Sequence, residues 1–104
     1  MYRRRVHMFL KSVDGRNEAI ALCGEYNELA AAKDWATGTF WMCTVGDGTE
    51  LVGDFDFPDL ASLQRENDVQ MSDPEAVALW GRFDAVEKAR HGFSELLETA
   101  LGVG

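Results

Sequence analysis

The sequence predicts an α+β fold, a four-stranded antiparallel sheet with helices packed on one face. Three observations carry that prediction. Two β-type runs flank an Asp47–Gly48 pair, the strongest short-range hairpin signal a sequence offers. Stretches before and after that hairpin space their apolar residues by three and four, as amphipathic helices do. Residues 3–10, ahead of everything else, alternate with the period of a strand.

Taken in order, the first strand covers residues 3–10, with Val6, Met8 and Leu10 on one face and Arg5, His7 and Phe9 on the other. Residues 12–15 read as a turn, and Asp14 is placed to cap the next helix. That helix, about 16–33, carries Ala19, Leu22, Cys23, Tyr26, Leu29 and Ala30 on one stripe and turns Glu18, Glu25 and Glu28 to water. Gly24 weakens it and is expected to allow close approach to the sheet. The hairpin follows at 39–59. Pro58 ends its second strand, and Asp59 caps a short helix to about Val69, whose polar middle, 64–68, is expected to be exposed.

A fresh helix start follows at 72–75, where Pro74 suits the first helical position and Ser72 with Glu75 fits a capping box. Its stripe is Ala76, Leu79, Trp80, Phe83 and Val86, and it is expected to end near His91–Gly92 in a left-handed cap. The tail has helical propensity, yet it follows that stop and the sheet needs a fourth strand. Residues 94–101 are therefore read as strand. The result is a ferredoxin-like βαββαβ chain with a split second helix, in which the first strand lies beside the third.

In the hairpin, a two-residue turn at 47–48 pairs Val45 with Glu50, Cys43 with Val52 and Trp41 with Asp54, and a four-residue loop at 46–49 gives the same pairing. One face then carries Phe40, Met42, Thr44, Leu51, Gly53, Phe55 and Phe57, an ordinary core face. The other carries Trp41, Cys43, Val45, Glu50, Val52, Asp54 and Asp56. It is too apolar for open solvent and too acidic for a dry core.

A chain of 104 residues is expected to form one domain, 1–104. A formal net charge of -8 argues against a nucleic-acid partner, because binding along a phosphate backbone needs a basic footprint. The one basic cluster, Arg3 to Arg5, reads as a solvated strand entrance whose arginines can pair acidic groups. No stretch approaches a membrane span, and the apolar run 6–10, ended by Lys11, is too short for a secretory segment. A cytoplasmic protein with no membrane contact is expected. Cys23 and Cys43 lack metal-ligand spacing and read as buried small hydrophobes. Without a phosphate-binding glycine loop, a CxxC pair or a nucleophile elbow, nucleotide-dependent and serine-hydrolase chemistry are disfavoured and no cofactor is called for.

Helices cover one face of such a sheet. The other would carry Phe9, Trp41, Cys43, Val45 and Val52, and an apolar patch of that kind marks an interface or ligand site. The economical solution is a homodimer packed sheet to sheet about a two-fold axis, which can also enclose a cavity. The strand at 6–10, the hairpin at 46–57, the segment 58–63 (Pro-Asp-Leu-Ala-Ser-Leu), residues 94–98 and above all 72–80 (Ser-Asp-Pro-Glu-Ala-Val-Ala-Leu-Trp) resemble the dimeric α/β-barrel superfamily. That group includes antibiotic-biosynthesis monooxygenases, NIPSNAP-like proteins and certain polyketide cyclases; residues 72–80 look closest to the NIPSNAP-like branch. The resemblance implies a dimer that binds or transforms small hydrophobic molecules between sheet and helices. Within the group some members oxidise aromatic substrates without a cofactor, some bind haem and some cyclise polyketides. Fold does not select among these.

His7 is the only histidine expected to face the cavity, where it could act as general base or acid on a phenol or an acidic carbon. Asp54 or Asp56 could orient its ring. The plainer reading is a strand histidine hydrogen-bonded at a subunit interface. Aspartates on a central strand are unusual: Asp54 and Asp56 either sit desolvated with raised pKa values or pair with Arg3 or Arg5. A metal site from these residues is not expected. Phe9, Trp41, Val52, Asp56, Tyr26 and Trp80 are pocket candidates for a flat apolar substrate, Trp80 also reading as core. Tyr26 and Asn27 lie on the inner helix edge, where helix packing also explains Tyr26. Neither histidine falls on a cavity-facing helix, which weakens a haem reading. The leading expectation is a homodimer acting on an aromatic or polyketide-like metabolite, by cyclisation, rearrangement or cofactor-free oxygenation, with His7 and Asp54 as the acid/base pair. The alternative is a non-catalytic ligand-binding or interaction dimer.

Overall fold

The computed structural model describes residues 1–44, 46, 48–88 and 92–100. Alternation at the start produces β1 (Tyr2–Phe9), which sends Met8 inward, with buried Leu10 just beyond its end. A 3₁₀ turn, Val13–Gly15, leads into α1 (Arg16–Ala32). Asp14 sits inside that turn, so the cap position falls to Gly15, which has no side chain to offer. The stripe of α1 is as expected, with Ala19, Leu22, Cys23, Tyr26 and Ala30 buried. Gly24 is different: a Cβ there would meet nothing within 4 Å, so it allows no close approach.

The hairpin strands are β2 (Gly38–Met42) and β3 (Glu50–Phe57). Their register differs from the expected one by two residues. Trp41 pairs with Val52, and Thr39 takes the place opposite Asp54. The Cys43 N–H still donates to the Glu50 carbonyl at 3.0 Å, so the loop spans 44–49. Gly46 (φ 92°) and Gly48 (φ 71°) both adopt left-handed backbone, which a wide loop tolerates at glycine. The Thr49 carbonyl accepts from Leu10 N–H at 2.7 Å, tying that end of the loop to the β1 side instead. Because the shift is even, each residue keeps its face. Val45 and Asp47 lie outside the described residues.

Next come α2 (Leu60–Ser72), α3 (Pro74–Val86) and β4 (Phe93–Glu98). Asp59 caps α2 by accepting Ser62 N–H at 2.7 Å, and the helix runs three residues past Val69. The cap of α3 is Asp73, not Ser72: its carboxylate accepts Glu75 and Ala76 N–H, each at 3.0 Å. Pro74 explains this, because a proline at the first helical position puts the cap on the residue before it. α3 stops at Val86, short of Gly92. Glu87 bridges Leu10 and Lys88 N–H donates to the Phe9 carbonyl at 2.7 Å, so the chain extends along the end of β1. His91 lies outside the described residues.

The sheet order is β2-β3-β1-β4 with every neighbour antiparallel, so β1 lies beside β3 as the topology requires. The core fills the space between one sheet face and α1 and α3, with Met8, Leu51, Phe55, Leu22, Tyr26 and Phe83 at its centre. Asn27 fixes β2 to α1: its side chain accepts Gly38 N–H at 2.7 Å and donates to the Gly38 carbonyl at 2.9 Å. Helix α2 buries none of its residues fully. Among the described residues no helix is long and apolar enough to cross a membrane.

Candidate functional site

Strand alternation divides the candidate residues between two faces. On the helix-free face, β1 presents Arg3, Arg5, His7 and Phe9 against Asp56, Asp54, Val52 and Glu50 of β3. Arg5 holds Asp54 in a two-pronged pair, Nε to Oδ1 at 2.8 Å and Nη2 to Oδ2 at 3.1 Å. Arg3 holds Asp56 the same way, at 2.7 and 3.0 Å. The Trp41 indole N–H adds a third donor to Asp54 at 3.2 Å. The Arg5 hydrogen bonds keep Asp54 ionised below the usual carboxylate range against burial, and Arg3 does the same for Asp56. The arginine pairing is therefore the one the protomer makes.

His7 meets different carboxylates. Its Nδ1 lies 3.0 Å from Glu50, its Nε2 hydrogen-bonds Glu95 of β4, and its ring stacks on Phe93 at 4.2 Å. Burial opposes a charged ring, but the hydrogen bonds and charges of Glu50 and Glu95 outweigh it and raise the pKa. Neither Asp54 nor Asp56 orients His7. A hollow of about 490 Å³ on this face brings together Trp41, Asp54 and Asp56 with Arg3 and Trp35, and leaves out His7, Phe9 and Val52.

The helix-covered face holds the other two candidates, Tyr26 and Trp80. They line a cleft of about 570 Å³ between the sheet and α2–α3. Its apolar wall is aromatic: Tyr26 lies 5.3 Å from Trp80 and edge-on to Phe55 at 5.4 Å, and Trp80 lies 5.3 Å from Phe83. At one end its polar groups are Arg4 of β1 and Glu66, Asn67 and Gln70 of α2. Glu66 accepts Ala36 N–H at 2.6 Å, Arg4 reaches Asn67 at 3.4 Å, and Gln70 donates to the Tyr26 hydroxyl at 3.0 Å. Burial raises the Glu66 pKa, opposed by the Ala36 N–H and the Arg4 charge. At the far end Glu87 is also raised, by burial and then by Asp84.

These four polar residues are absent from the sequence-based candidates. Glu66 and Asn67 belong to the stretch expected to be exposed, but both are half-buried because α2 presents them to the cleft. For Arg4 a signal was present: three consecutive arginines on an alternating strand cannot share a face. Among the described residues no group of three or more His, Cys, Asp or Glu is arranged to hold a metal ion.

No protein-family model matches the sequence, and no curated protein matches it. Solved structures match its fold along nearly the whole chain. An uncharacterized NIPSNAP domain protein from Burkholderia xenovorans superposes with a TM-score of 0.80 over 100% of this chain and 99% of that one, at 15% identity. An antibiotic biosynthesis monooxygenase gives 0.74 over 97% and 100%, at 17% identity. SnoaB, a cofactor-independent oxygenase from Streptomyces nogalater, gives 0.65 over 98% and 95%, at 10% identity. The fold is the ferredoxin-like one that the resemblance implied, shared with antibiotic biosynthesis monooxygenases and NIPSNAP proteins.

Proposed function

We propose that the protein is a homodimer that binds a flat, apolar metabolite of aromatic or polyketide type under α2 and α3 and moves a proton on it. The cleft carries this reading. Its volume, about 570 Å³, lies in the range that holds a small-molecule ligand, and aromatic rings wall it beside a half-buried carboxyl group. Glu66, with its pKa moved toward neutrality, is the proton acceptor we assign. It takes a proton from a phenol or an acidic carbon, and the electron pair stays on the ligand as a phenolate or enolate. The enolate carbon then closes onto a carbonyl carbon of the same molecule, whose oxygen recovers the proton from Glu66. The same enolate is the species that would react with dioxygen in cofactor-free oxygenation, so dioxygen uptake distinguishes the two outcomes. The oxygenase named among the structural neighbours supports chemistry of this kind.

The helix-free face is the dimer surface in this reading. Trp41 and Phe93 are 57% and 51% exposed there, around charges already neutralised in pairs, which suits contact with a second copy. His7 and Asp54, the acid/base pair the sequence suggests, are assigned to that surface. The test is a panel of polyphenols and linear polyketide mimics, followed by protein fluorescence, an oxygen electrode and mass spectrometry. Binding should disappear in Trp80→Ala and turnover in Glu66→Gln. Binding without any turnover would reject the enzyme and leave a ligand-binding dimer. Sedimentation at twice the monomer mass is expected, and a monomer at micromolar concentration would reject the dimer.

A further inference from the structure

Of the three arginines in β1, two have their carboxylates and one does not. Arg3 and Arg5 alternate onto the helix-free face and are held in two-pronged pairs by Asp56 and Asp54. Arg4 points the other way, into the cleft. Among the described residues it makes one long hydrogen bond, to the neutral Asn67 at 3.4 Å, and no ion pair. A guanidinium carries five N–H donors in a planar fork suited to a carboxylate or an ionised phenol. Turning one toward an apolar wall without an anion is costly unless a ligand supplies the anion. Three acids line the same cleft. Glu66 stands at the Arg4 end, near enough for the two charges to interact, but its carboxylate is hydrogen-bonded by Ala36 N–H and not by Arg4, whose fork stays open; Asp84 and Glu87 stand at the opposite end, beyond Met8.

We infer that the cleft selects an anionic ligand, an aromatic carboxylic acid or an ionised phenol or enol, seated on Arg4 with its ring against Trp80 and Tyr26. This rests on the cleft reading above and deepens it: Arg4 determines specificity, and in turnover it would also face the negative charge that proton removal creates.

The experiment compares two fluorescent probes with nearly the same aromatic skeleton. One is anionic, 8-anilinonaphthalene-1-sulfonate, and the other neutral, N-phenyl-1-naphthylamine. Both should bind the wild-type protein and be weakened together by Trp80→Ala. Arg4→Gln should weaken the sulfonate about tenfold while leaving the neutral probe unchanged. Asn67→Asp, which gives Arg4 an internal carboxylate, should do the same at a half-buried position on a helix with no fully buried residue, so the test survives if the strand variant does not fold. If both variants move the two probes equally, or move neither, Arg4 does not select charge, and the cleft reading stands without it. If neither probe binds the wild-type protein, the cleft reading fails and takes this inference with it.

Discussion

The two faces of the sheet treat charge in opposite ways. On the helix-free face, Arg3, Arg5 and His7 each meet carboxylates within hydrogen-bonding distance. On the covered face, Arg4 has no ion pair among the described residues and Glu66 has a backbone N–H where a cation would serve it better. A surface whose charges are matched inside the protomer is suited to holding strands together and to contact. A cleft whose arginine and carboxyl groups face one another without a direct ion pair is suited to a ligand. One strand supplies both, because alternation sends its neighbouring residues to opposite sides.

The variant with the largest expected effect probes the matched face. Asp54 is 5% exposed, and Asp54→Ala leaves Arg5 without its partner and Trp41 without its acceptor. Because Arg5 itself is partly solvated, the loss should be about 3 kcal/mol, at the low end for a broken buried pair. A urea titration measures it. Once folded, this variant should bind cleft ligands normally; loss of binding would break the separation between the faces. Asp54 also sets an acid limit. Its folded pKa is lowered, so its contribution is present above the unfolded pKa and lost as pH falls through the folded one.

Next in size is Glu66→Gln, expected to lower turnover by about a hundredfold, as for other general bases. Its stability effect has the opposite sign to that of Asp54. A raised carboxyl pKa gives stability that is present below the unfolded value and lost as pH rises through the folded one. The glutamine variant should therefore be the more stable protein at neutral pH, as a thermal melt would show.

His7 sharpens the comparison further. Its pKa is raised, so its contribution is complete below the unfolded value and is lost as pH rises through the folded value. A proton NMR titration should show a lower His7 pKa in Glu95→Gln, with a stability cost below about 1 kcal/mol because Glu95 is exposed. An unchanged titration would remove Glu95 as a partner. Tyr26→Phe should do little, costing at most about 1 kcal/mol for the Gln70 hydrogen bond in a side chain that otherwise keeps its packing, as a urea titration would show.

The elements of the fold were legible because each left a local pattern: alternation in β1, the stripe of α1, the Pro74 start of α3. The register of the hairpin was not, since Gly46 and Gly48 permit more than one loop and only the contact of Thr49 with Leu10 decides between them. The helix-free surface could be read from the parity of Trp41, Val52 and Asp54, and that parity survived the shift in register. The cleft could not. Half of its polar lining comes from α2, whose sequence looks solvated, and a helix that leaves a gap beneath it cannot be told from one that faces water without knowing what lies opposite. Tyr26 and Trp80 were visible only as members of helical stripes, which describe packing and empty space alike.

Asp73 ends α2 and begins α3 with no loop between them. Lys33 anchors that joint to the end of α1 through Asp73 at 2.9 Å and Glu75 at 3.2 Å. From it α2 runs back 13 residues, about 20 Å, to Asp59 just past the end of β3, and is tied near its middle where Glu66 accepts from Ala36. The roof of the cleft is thus held at three points, by the sheet, by the segment after α1 and by α1 itself, so substitutions at Asp73 or Lys33, far from any ligand, should alter which ring systems fit.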